Sequence, residues 1–218
     1  MSFTTPDTCP VCRGPDCLPF MHLGGKDYWR CEQCEARGLV AAHLPDAATE
    51  RATYRLHQNS IQDIGYRRFL AKLSDPLLAR VPVPARGLDY GCGPGPALAA
   101  MLREAGHEMS LYDPIFQPDP AALSERYDFV TCTEVAEHFH HPAAEFDRLA
   151  GLLHPGGWLA VMTCFQTDDA RFEHWHYRQD PTHVVFYRAQ TFEHIAQLRG
   201  WSCTIPHKDV ALLRMPLA

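Results

Sequence analysis

The stretch from 87 to 96, GLDYGCGPGP, combines residue types that can bind a nucleotide-type cofactor. A short apolar strand leads into a glycine-rich loop, and a helix-compatible run begins at Ala97. Glycines have no β-carbon and let a ligand approach the backbone, and a helix N-terminus follows them. The spacing departs from the dinucleotide fingerprint G-x-G-x-x-G, because Pro96 occupies the last glycine position, so hydride transfer is disfavoured. Asp113 ends the next strand-like run, where a carboxylate can accept hydrogen bonds from ribose hydroxyls.

Four cysteines near the N-terminus have the spacing of a zinc site. Cys9 and Cys12 form one C-x-x-C pair, Cys31 and Cys34 form another, and 18 residues separate the pairs. In four-thiolate sites of this spacing each sulfur lies about 2.3 Å from the ion, and no coordination position stays open. So short a segment cannot fold on its own apolar core, so metal binding would contribute folding free energy. Reduced structural cysteines are the alternative.

Acidic and histidine residues recur in two later stretches that could act on a substrate. Glu134, Glu137 and His138 are spaced i, i+3 and i+4, so one helical turn would place them on one face. Such carboxylates and imidazoles are ligands for Mg²⁺, Mn²⁺ or Zn²⁺. Residues 165–187 are rich in aromatic and histidine side chains, and we consider His176 and His183, with His138, as catalytic candidates. Each histidine taken singly can equally be a surface or packed side chain.

Composition and charge limit the classes of function. At 218 residues the chain suits one domain with a small appendage. Its net charge of −6 gives no bulk attraction to nucleic acid or to an anionic membrane. No apolar run of about eighteen residues occurs and the start lacks a secretion signal, so we expect a cytoplasmic protein without membrane association. The nine cysteines, an odd number, favour metal binding over disulfides.

Hydrophobic periodicity predicts an α/β domain after a helical connector. Residues 46–80 have helical spacing, with a break expected at Asp75-Pro76 and buried positions at Tyr54, Ile61, Ile64, Phe69, Leu70 and Leu73. This region is locally basic, which indicates either a solvated helix face or a surface that guides an anionic substrate. Further on, we expect helices at 96–105, 141–153 and 189–198, and strands at 108–112, 127–132, 158–162, 202–205 and 210–215.

Three motifs in this order resemble the class I S-adenosylmethionine-dependent methyltransferases. The first is D-x-G-x-G-x-G, beginning at Asp89. The second is the strand 127–130 followed by TEVAEH at 133–138, and the third is the L-x-P-G-G turn at 153–157 before the fifth strand. The resemblance covers residues 86–218 well and the zinc ribbon only by its cysteine spacing.

The resemblance implies a Rossmann-like α/β sheet that binds S-adenosylmethionine. About fourteen residues follow Asp113 before the next strand, too few for the usual helix, third strand and helix, so we expect that edge strand to be absent, leaving about six strands. We expect a zinc ribbon at 1–45, a helical connector and cofactor lid at 46–85, where Tyr54 and His57 help to close the pocket, and the methyltransferase domain at 86–218. Cofactor contacts are expected from Asp89, Gly91, Cys92, Gly93, Gly95, Asp113, Pro114, Phe116, Thr133 and Glu134.

A second metal site is implied by a further resemblance. The spacing E-x-x-E-H at 134–138 is similar to the metal site of small-RNA 2′-O-methyltransferases and to a motif of ubiquinone-pathway O-methyltransferases. His183 best matches the additional histidine of the RNA enzymes, so the ligand set would be Glu134, Glu137, His138 and His183. Alternatively, the two carboxylates hydrogen-bond to the cofactor's amino group or cap the adjoining helix.

The predicted activity is methyl transfer to oxygen or nitrogen of a small or medium-sized acceptor. An RNA methyltransferase that uses the ribbon to bind its substrate is one alternative, although the acidic balance argues mildly against it. A non-catalytic protein that senses the cofactor or binds a protein partner is the other. The aromatic and histidine segment at 165–187 favours an enzyme, because a pure binder would not need it.

Overall fold

The computed structural model describes residues 4–56 and 59–217. Within these residues the strands are β1 Cys17–Leu23, β2 Lys26–Cys31, β3 Arg37–Leu39, β4 Arg86–Tyr90, β5 Glu108–Tyr112, β6 Tyr127–Thr133, β7 Leu153–Met162, β8 Val185–Phe186, β9 Ser202–His207 and β10 Val210–Arg214. The α-helices in the same ranges are α1 Ala47–Tyr54, α2 Ile64–Leu78, α3 Ala97–Glu104, α4 Pro142–Gly151 and α5 Ala189–Arg199. None of these helices is long and apolar enough to span a membrane.

The larger sheet has six strands in the order β5-β4-β6-β7-β10-β9. Strands β5, β4, β6 and β7 run parallel, and β10 pairs antiparallel with β7 and β9. Between β5 and β6 the described chain forms only a short 3-10 helix, Pro120–Leu123. The predicted Rossmann-like sheet is therefore confirmed, and so is the prediction that it lacks the third, edge strand. This order places the carboxyl ends of β5, β4 and β6 side by side, which is where α/β sheets bind ligands.

Helix boundaries follow the glycine and proline positions. Helix α3 begins directly after Pro96 and is followed by Gly106, which has φ of +95°. Helix α4 has Pro142 in its first turn, where the missing N–H leaves no hydrogen bond unmade. Helix α5 ends at Gly200, whose left-handed φ of +66° suits a residue without a β-carbon. These three helices were all predicted, with ends shifted by up to two residues.

The connector and two of the strands differ from the prediction. The connector is two helices, and α2 continues through Pro76 to Leu78 although proline removes one backbone hydrogen bond there. The face that α2 buries carries Leu70, Leu73 and Leu77, whereas Ile64, at its first position, is 75% exposed. In the sheet, β7 begins at Leu153 rather than at 158, and β9 extends to His207. Backbone pairing across a register shift opposite β6 accounts for the longer β7.

A second sheet joins the cysteine-rich segment to the rest of the chain. Its order is β1-β2-β3-β8, and β8 comes from the aromatic segment that follows β7. Arg37 pairs with Phe186 and Gly38 with Val185. The aromatic rings of Tyr28, Phe172 and Phe186 pack edge-on beneath this sheet. The N-terminal strands thus share both a sheet and a core with residues more than a hundred positions away.

Close packing around β4 generates the first prediction. A β-carbon on Gly87 would lie 2.2 Å from Cε2 of Phe129 and 2.7 Å from Sδ of Met109, both buried. We expect Gly87→Ala to lower the free energy of unfolding by about 1–3 kcal/mol, as overpacked cores do. Gly151→Ala, where a β-carbon meets nothing within 4 Å, is the matched control. Urea unfolding that shows equal midpoints for both variants would contradict this packing.

Candidate active site

Three glycines after β4 are required for three different physical reasons. Gly91 has φ of +79°, and a β-carbon there would lie 2.4 Å from Cγ2 of Val135. Gly93 has φ of +62°, but a β-carbon there would meet nothing within 4 Å. A β-carbon on Gly95 would lie 2.0 Å from the carbonyl oxygen of Asn59. The loop is therefore packed closely on two sides and open at Gly93.

Asp113, directly after β5, holds this loop in place. Its Oδ2 accepts a hydrogen bond from the Gly93 N–H at 3.0 Å, and its Oδ1 accepts from the N–H groups of Ile115 at 2.8 Å and Phe116 at 2.9 Å. The side chain was expected to accept hydrogen bonds from ribose hydroxyls, and it does face the cavity described below. In the structure the Asp113 carboxylate accepts hydrogen bonds from three backbone N–H groups. This one side chain therefore holds both the glycine loop and the turn after β5 at the edge of the sheet.

Asp89 lies beneath the loop rather than on its open side. It is buried, and Oγ1 of Thr131 on β6 donates a hydrogen bond to its Oδ1 at 2.8 Å. Burial raises the pKa of Asp89 to about 6, and the hydrogen bond from Thr131 opposes that shift. Because Asp89 does not line the cavity, we assign it to positioning β4 against β6.

A cavity of about 650 Å³ opens over the ends of β4, β5 and β6. The residues predicted to contact the cofactor that line it are Gly91, Cys92, Gly93, Asp113, Pro114, Phe116, Thr133 and Glu134. Gly95 stays outside because it packs against Asn59. Burial raises the pKa of Cys92 to about 12, so this thiol stays protonated and unreactive near neutral pH.

Several residues that line the cavity were not predicted from the sequence. Tyr90 and Tyr112 stack at 5.3 Å between ring centroids, and the Tyr90 hydroxyl donates to Oε2 of Glu145 at 2.6 Å. Arg148 donates to the Tyr90 hydroxyl at 3.3 Å. Both tyrosines adjoin residues of the predicted motif, so their position on the strand was a usable signal. Glu145 and Arg148 lie on α4, and nothing local in the sequence points that helix at the cavity.

Helix α1, part of the segment expected to act as a cofactor lid, lines one side of the cavity. Glu50 of α1 lies 2.8 Å from Nε2 of His140, which ties the helix to the segment before α4. The Tyr54 ring meets the His138 ring edge-on at 5.2 Å, and both residues line the cavity. Tyr66 of α2 lines it too, and burial raises the pKa of its phenol to about 12. His57, expected to help close the pocket, lies outside the described residues.

A buried carboxylate pair flanks the cavity beyond the end of β6. Glu134 follows β6 with the unusual φ of +52°, and Glu137 is completely buried. The Tyr177 hydroxyl donates to Oε1 of Glu137 and lies 3.3 Å from Oε2 of Glu134. Burial, and secondly the charge of Glu137, raise the pKa of Glu134 to about 9, and burial also raises the pKa of Glu137. Tyr177 links the two carboxylates, although no sequence pattern distinguishes it from its aromatic neighbours.

Two histidines stand beside Glu137 with defined ring orientations. Nδ1 of His138 lies 2.9 Å from the Thr182 carbonyl oxygen, and Nδ1 of His183 lies 2.6 Å from the Tyr177 carbonyl oxygen. A neutral imidazole that donates from Nδ1 presents Nε2 as an acceptor. Burial lowers the pKa of His183, which favours the neutral ring. One ligand atom each from Glu137, His138 and His183 lie within 4.8 Å of one another.

The structure brings together three of the four predicted ligands of a second metal and separates two other candidates. Glu134 is outside the 4.8 Å group and reaches it only through Tyr177. His176 is exposed on a short 3-10 helix and does not line the cavity. Its place in that helix turns the side chain to solvent, so nothing in the structure supports a catalytic role for it.

The four N-terminal cysteines converge on one point. The Sγ atoms of Cys9 and Cys34 are 3.7 Å apart, those of Cys12 and Cys31 are also 3.7 Å apart, and all four lie within 4.8 Å of one another. A tetrahedral ion with sulfurs at about 2.3 Å requires sulfur–sulfur distances of about 3.8 Å. The cysteine geometry therefore fits a four-thiolate metal.

Comparison with known families identifies one matching domain. A family model described as "Methyltransferase domain" matches residues 63–204. The match starts at Asp63, which caps the N-terminus of α2, and ends within β9. It therefore includes the glycine loop, the cavity wall apart from α1 and Asn59, and the segment that carries His183.

Curated relatives of this chain include ubiquinone biosynthesis O-methyltransferases. The protein of that name from Xylella fastidiosa (strain 9a5c) is 32% identical in an alignment of 117 residues, which covers 43% of this chain and 48% of that protein. The Serratia proteamaculans (strain 568) protein of the same name is 32% identical over 86 residues, or 39% of this chain and 36% of that protein. This chain thus spans about half or less of the length of these relatives.

Solved structures share the fold at low sequence identity. The 1,6-didemethyltoxoflavin-N1-methyltransferase of Burkholderia thailandensis, solved with 1,6-didemethyltoxoflavin and S-adenosylhomocysteine bound, has a TM-score of 0.52 at 18% identity and covers 91% of this chain and 99% of that one. The magnesium protoporphyrin IX methyltransferase of Synechocystis PCC 6803, with S-adenosylhomocysteine bound, has a TM-score of 0.51 at 16% identity and covers 78% and 94%. At these identities the likeness shows the fold.

Gly93 offers a sharp test of the cavity. Gly93→Val would place a branched side chain in the open approach and in a left-handed conformation that valine rarely adopts, so we expect at least a hundredfold loss of S-adenosylhomocysteine affinity by calorimetry. Gly200→Val carries the same backbone strain at φ of +66° with nothing within 4 Å, far from the loop. It should retain affinity. Equal S-adenosylhomocysteine affinities for the two variants would show that the glycine loop is not part of the binding site.

Proposed function

This chain belongs to the class I S-adenosylmethionine-dependent methyltransferase family, because the family model matches well over half of it; from that premise we propose that it methylates oxygen or nitrogen of a small or medium-sized acceptor. The observation that carries the proposal is the cavity over β4, β5 and β6, with the open Gly93 on one side and, on the other, the Glu134 carboxyl group, which Tyr177 links to the buried Glu137. The names of the curated relatives favour oxygen. The reduced cysteines are consistent with a cytoplasmic protein.

The chain's own residues would position both reactants. The cofactor supplies an activated methyl group, so the protein mainly has to orient and desolvate the acceptor. The glycine loop and the turn after Asp113 form the cofactor side. Tyr54, Glu134 and His138 line the other part of the cavity and present a phenol, a carboxyl group and an imidazole to the acceptor. Because burial keeps the Glu134 pKa near 9, this group is protonated at neutral pH and can donate a hydrogen bond.

Turnover on small acceptors tests the proposal directly. We expect the purified chain to produce S-adenosylhomocysteine with at least one member of a panel of phenols, alcohols and amines. Cofactor binding without turnover across that panel would favour a cofactor-sensing protein instead. Salt-sensitive binding to RNA, with methylation of RNA alone, would establish the RNA methyltransferase alternative.

We propose that Cys9, Cys12, Cys31 and Cys34 hold one structural zinc ion. The sulfur separations match a tetrahedral site, and all four side chains can ligate as thiolates. Three of the four residues are buried in the main hydrophobic core, where four close thiols without an ion would have few polar partners. Cys17, which pairs with Cys31 across β1 and β2, is outside the four-sulfur group.

Metal content is the corresponding measurement. Elemental analysis of protein purified without chelator should find one zinc per chain, and Cys31→Ser should lose it. Cys203→Ser, on β9, is the control and should keep the zinc because Cys203 is outside the four-sulfur group. Wild-type protein without zinc would contradict the assignment.

We further propose that Glu137, His138 and His183 bind a divalent cation on the acceptor side. Oε2 of Glu137 is buried and has no hydrogen-bond partner among the described residues, which is costly unless a ligand occupies that position. Both histidines direct their Nδ1 atoms at backbone carbonyls, an arrangement that fixes ligating imidazoles in metal sites. Two imidazoles and one carboxylate suit Mn²⁺ or Zn²⁺ better than Mg²⁺. Such an ion would supply Lewis acidity to an acceptor oxygen.

A Mn²⁺ binding measurement distinguishes a metal centre at Glu137, His138 and His183 from a cluster of side chains that only pack together. We expect Mn²⁺ titration followed by electron paramagnetic resonance to show one site in wild-type protein, and Glu137→Gln to weaken it at least tenfold, since an amide oxygen carries no charge. Glu145→Gln removes a different cavity carboxylate and should leave binding unchanged. Equal Mn²⁺ affinity in the two variants, or none in the wild type, would refute the centre.

A further inference from the structure

We propose that the ribbon, meaning described residues 4–45, supports the acceptor side of the cavity. By the acceptor side we mean Glu134, Glu137, His138, Tyr177 and His183. The ribbon's four-cysteine site would set the positions of Glu137 and His183 while leaving the cofactor loop unaffected. The inference rests on the zinc site and the division of the cavity proposed above. Four contacts between the ribbon and the methyltransferase domain carry it, and all four reach the acceptor side.

The most direct contact is a chain of two backbone hydrogen bonds. The N–H of Leu39, the last residue of β3, donates to the Val184 carbonyl at 2.8 Å. The N–H of Val184 in turn donates to the Glu137 carbonyl at 2.9 Å. Val184 follows His183 directly, so a single residue connects the ribbon to both the buried carboxylate and the imidazole. The pairing of β3 with β8 continues this connection by two further positions.

Aromatic packing supports the segment that carries Tyr177. The Tyr28 hydroxyl on β2 accepts a hydrogen bond from Nη1 of Arg178 at 3.2 Å. Its ring meets Phe172 edge-on at 5.2 Å, and Tyr177 and Val184 lie in the same buried cluster. The Tyr177 hydroxyl links Glu134 to Glu137. Because Tyr28 and Tyr177 belong to the same buried cluster, the ribbon supports the residue that joins these two carboxylates.

An ionic network begins at the second cysteine pair. Glu35 directly follows Cys34, and its Oε2 pairs with Nη1 of Arg188 at 2.8 Å. Arg188 also donates to Asp169 at 2.9 Å, and the buried Arg37 of β3 donates to the same carboxylate at 2.7 Å. A change in the conformation of the Cys31–Cys34 turn would move Glu35, and with it the base of the segment that contains β8.

The first cysteine pair contacts the opposite flank of the acceptor side. The carbonyl of Pro10, between Cys9 and Cys12, accepts a hydrogen bond from the Ala143 N–H at 2.9 Å in the first turn of α4. Arg13 forms an ion pair with Asp147 one turn further on. The residues immediately before α4, His140 and His141, line the cavity. One ion would therefore restrain both flanks of the acceptor side.

Within the described residues the ribbon makes no equivalent hydrogen bond or ion pair to the cofactor side, although Cys9, Val11 and Cys34 share the main apolar core with Leu88 and Tyr90 of β4. Among the hydrogen bonds and ion pairs found in residues 4–56 and 59–217, those of the ribbon reach positions 143–188, and none reaches 86–116. The glycine loop is held instead by Asp113 and Tyr112. Loss of the zinc should thus disturb one half of the cavity.

Hydrogen exchange on the full chain tests this asymmetry without an acceptor. Removing zinc with a chelator should speed exchange of the Val184 amide and its neighbours in 183–187 at least tenfold, while S-adenosylhomocysteine affinity changes less than twofold. Protection of 183–187 that survives zinc removal would overturn the proposal. A parallel loss of cofactor affinity would also overturn it, because the ribbon would then support the whole fold. Absence of methyl transfer would leave these readouts intact.

A milder variant keeps the test valid if zinc-free protein unfolds. Glu35→Gln removes the charge that faces Arg188 but leaves every cysteine, so zinc content should stay at one per chain while 183–187 exchanges at least threefold faster. Glu32→Gln is the matched control, since the ion pair of Glu32 among residues 4–56 and 59–217 is with Arg30 of the ribbon, at 2.9 Å. The same exchange rate at 183–187 in both variants would contradict the ionic link.

Discussion

The carboxylate of Asp113 is the constraint on which the cofactor half of the molecule depends. It accepts three backbone N–H groups, one from the glycine loop and two from the turn after β5. A buried carboxylate needs such donors because its desolvation is otherwise costly. The left-handed conformation of Gly93 and the turn at Ile115 and Phe116 are thereby fixed together. The cavity floor is preorganised before any ligand arrives, which reduces the ordering cost of binding.

The acceptor half is built on a different principle. Glu137 is completely buried, one of its oxygens lacks a partner among the described residues, and Glu134 adopts an unfavourable backbone conformation nearby. Features of this kind persist only where the surrounding structure enforces them. Here the surroundings include the ribbon, whose strand β3 pairs with β8 and whose Tyr28 packs under Tyr177. The site therefore draws its rigidity from two regions that are far apart in sequence.

Local patterns in the sequence predicted the framework of the cofactor half. Strand alternation, the glycine spacing and the order of three motifs located β4, β5 and β6, and the shortness of the chain after Asp113 predicted the absent edge strand. Of the predicted cofactor contacts, Asp89 and Gly95 do not line the cavity, because one lies beneath the loop and the other packs against Asn59. Helix α2 was less predictable, because a proline in the last turn reads like a break. The role of Asp113 could not be resolved, since its choice of donors depends on the turn that follows β5.

The contacts of the acceptor half could not be predicted from local sequence patterns. Strand β8 has two residues and pairs with a strand 147 positions earlier, Val185 against Gly38, so no periodicity marks it. Tyr177 lies among other aromatic residues, and only the fold places its hydroxyl between two carboxylates. His176 and His183 were both predicted as catalytic candidates, yet His176 is exposed, whereas Nδ1 of His183 lies 2.6 Å from the Tyr177 carbonyl oxygen. Long-range pairing decided each of these outcomes.

Amide chemical shifts measured during titration with S-adenosylhomocysteine test the central claim most directly. We expect saturable shifts at Gly91, Gly93, Ile115 and Phe116, where the loops held by Asp113 line the cavity. Amides in β1 and β2 should not respond. Saturable shifts confined to 165–187, or no shifts at millimolar ligand, would contradict a cofactor site over the ends of β4 and β5.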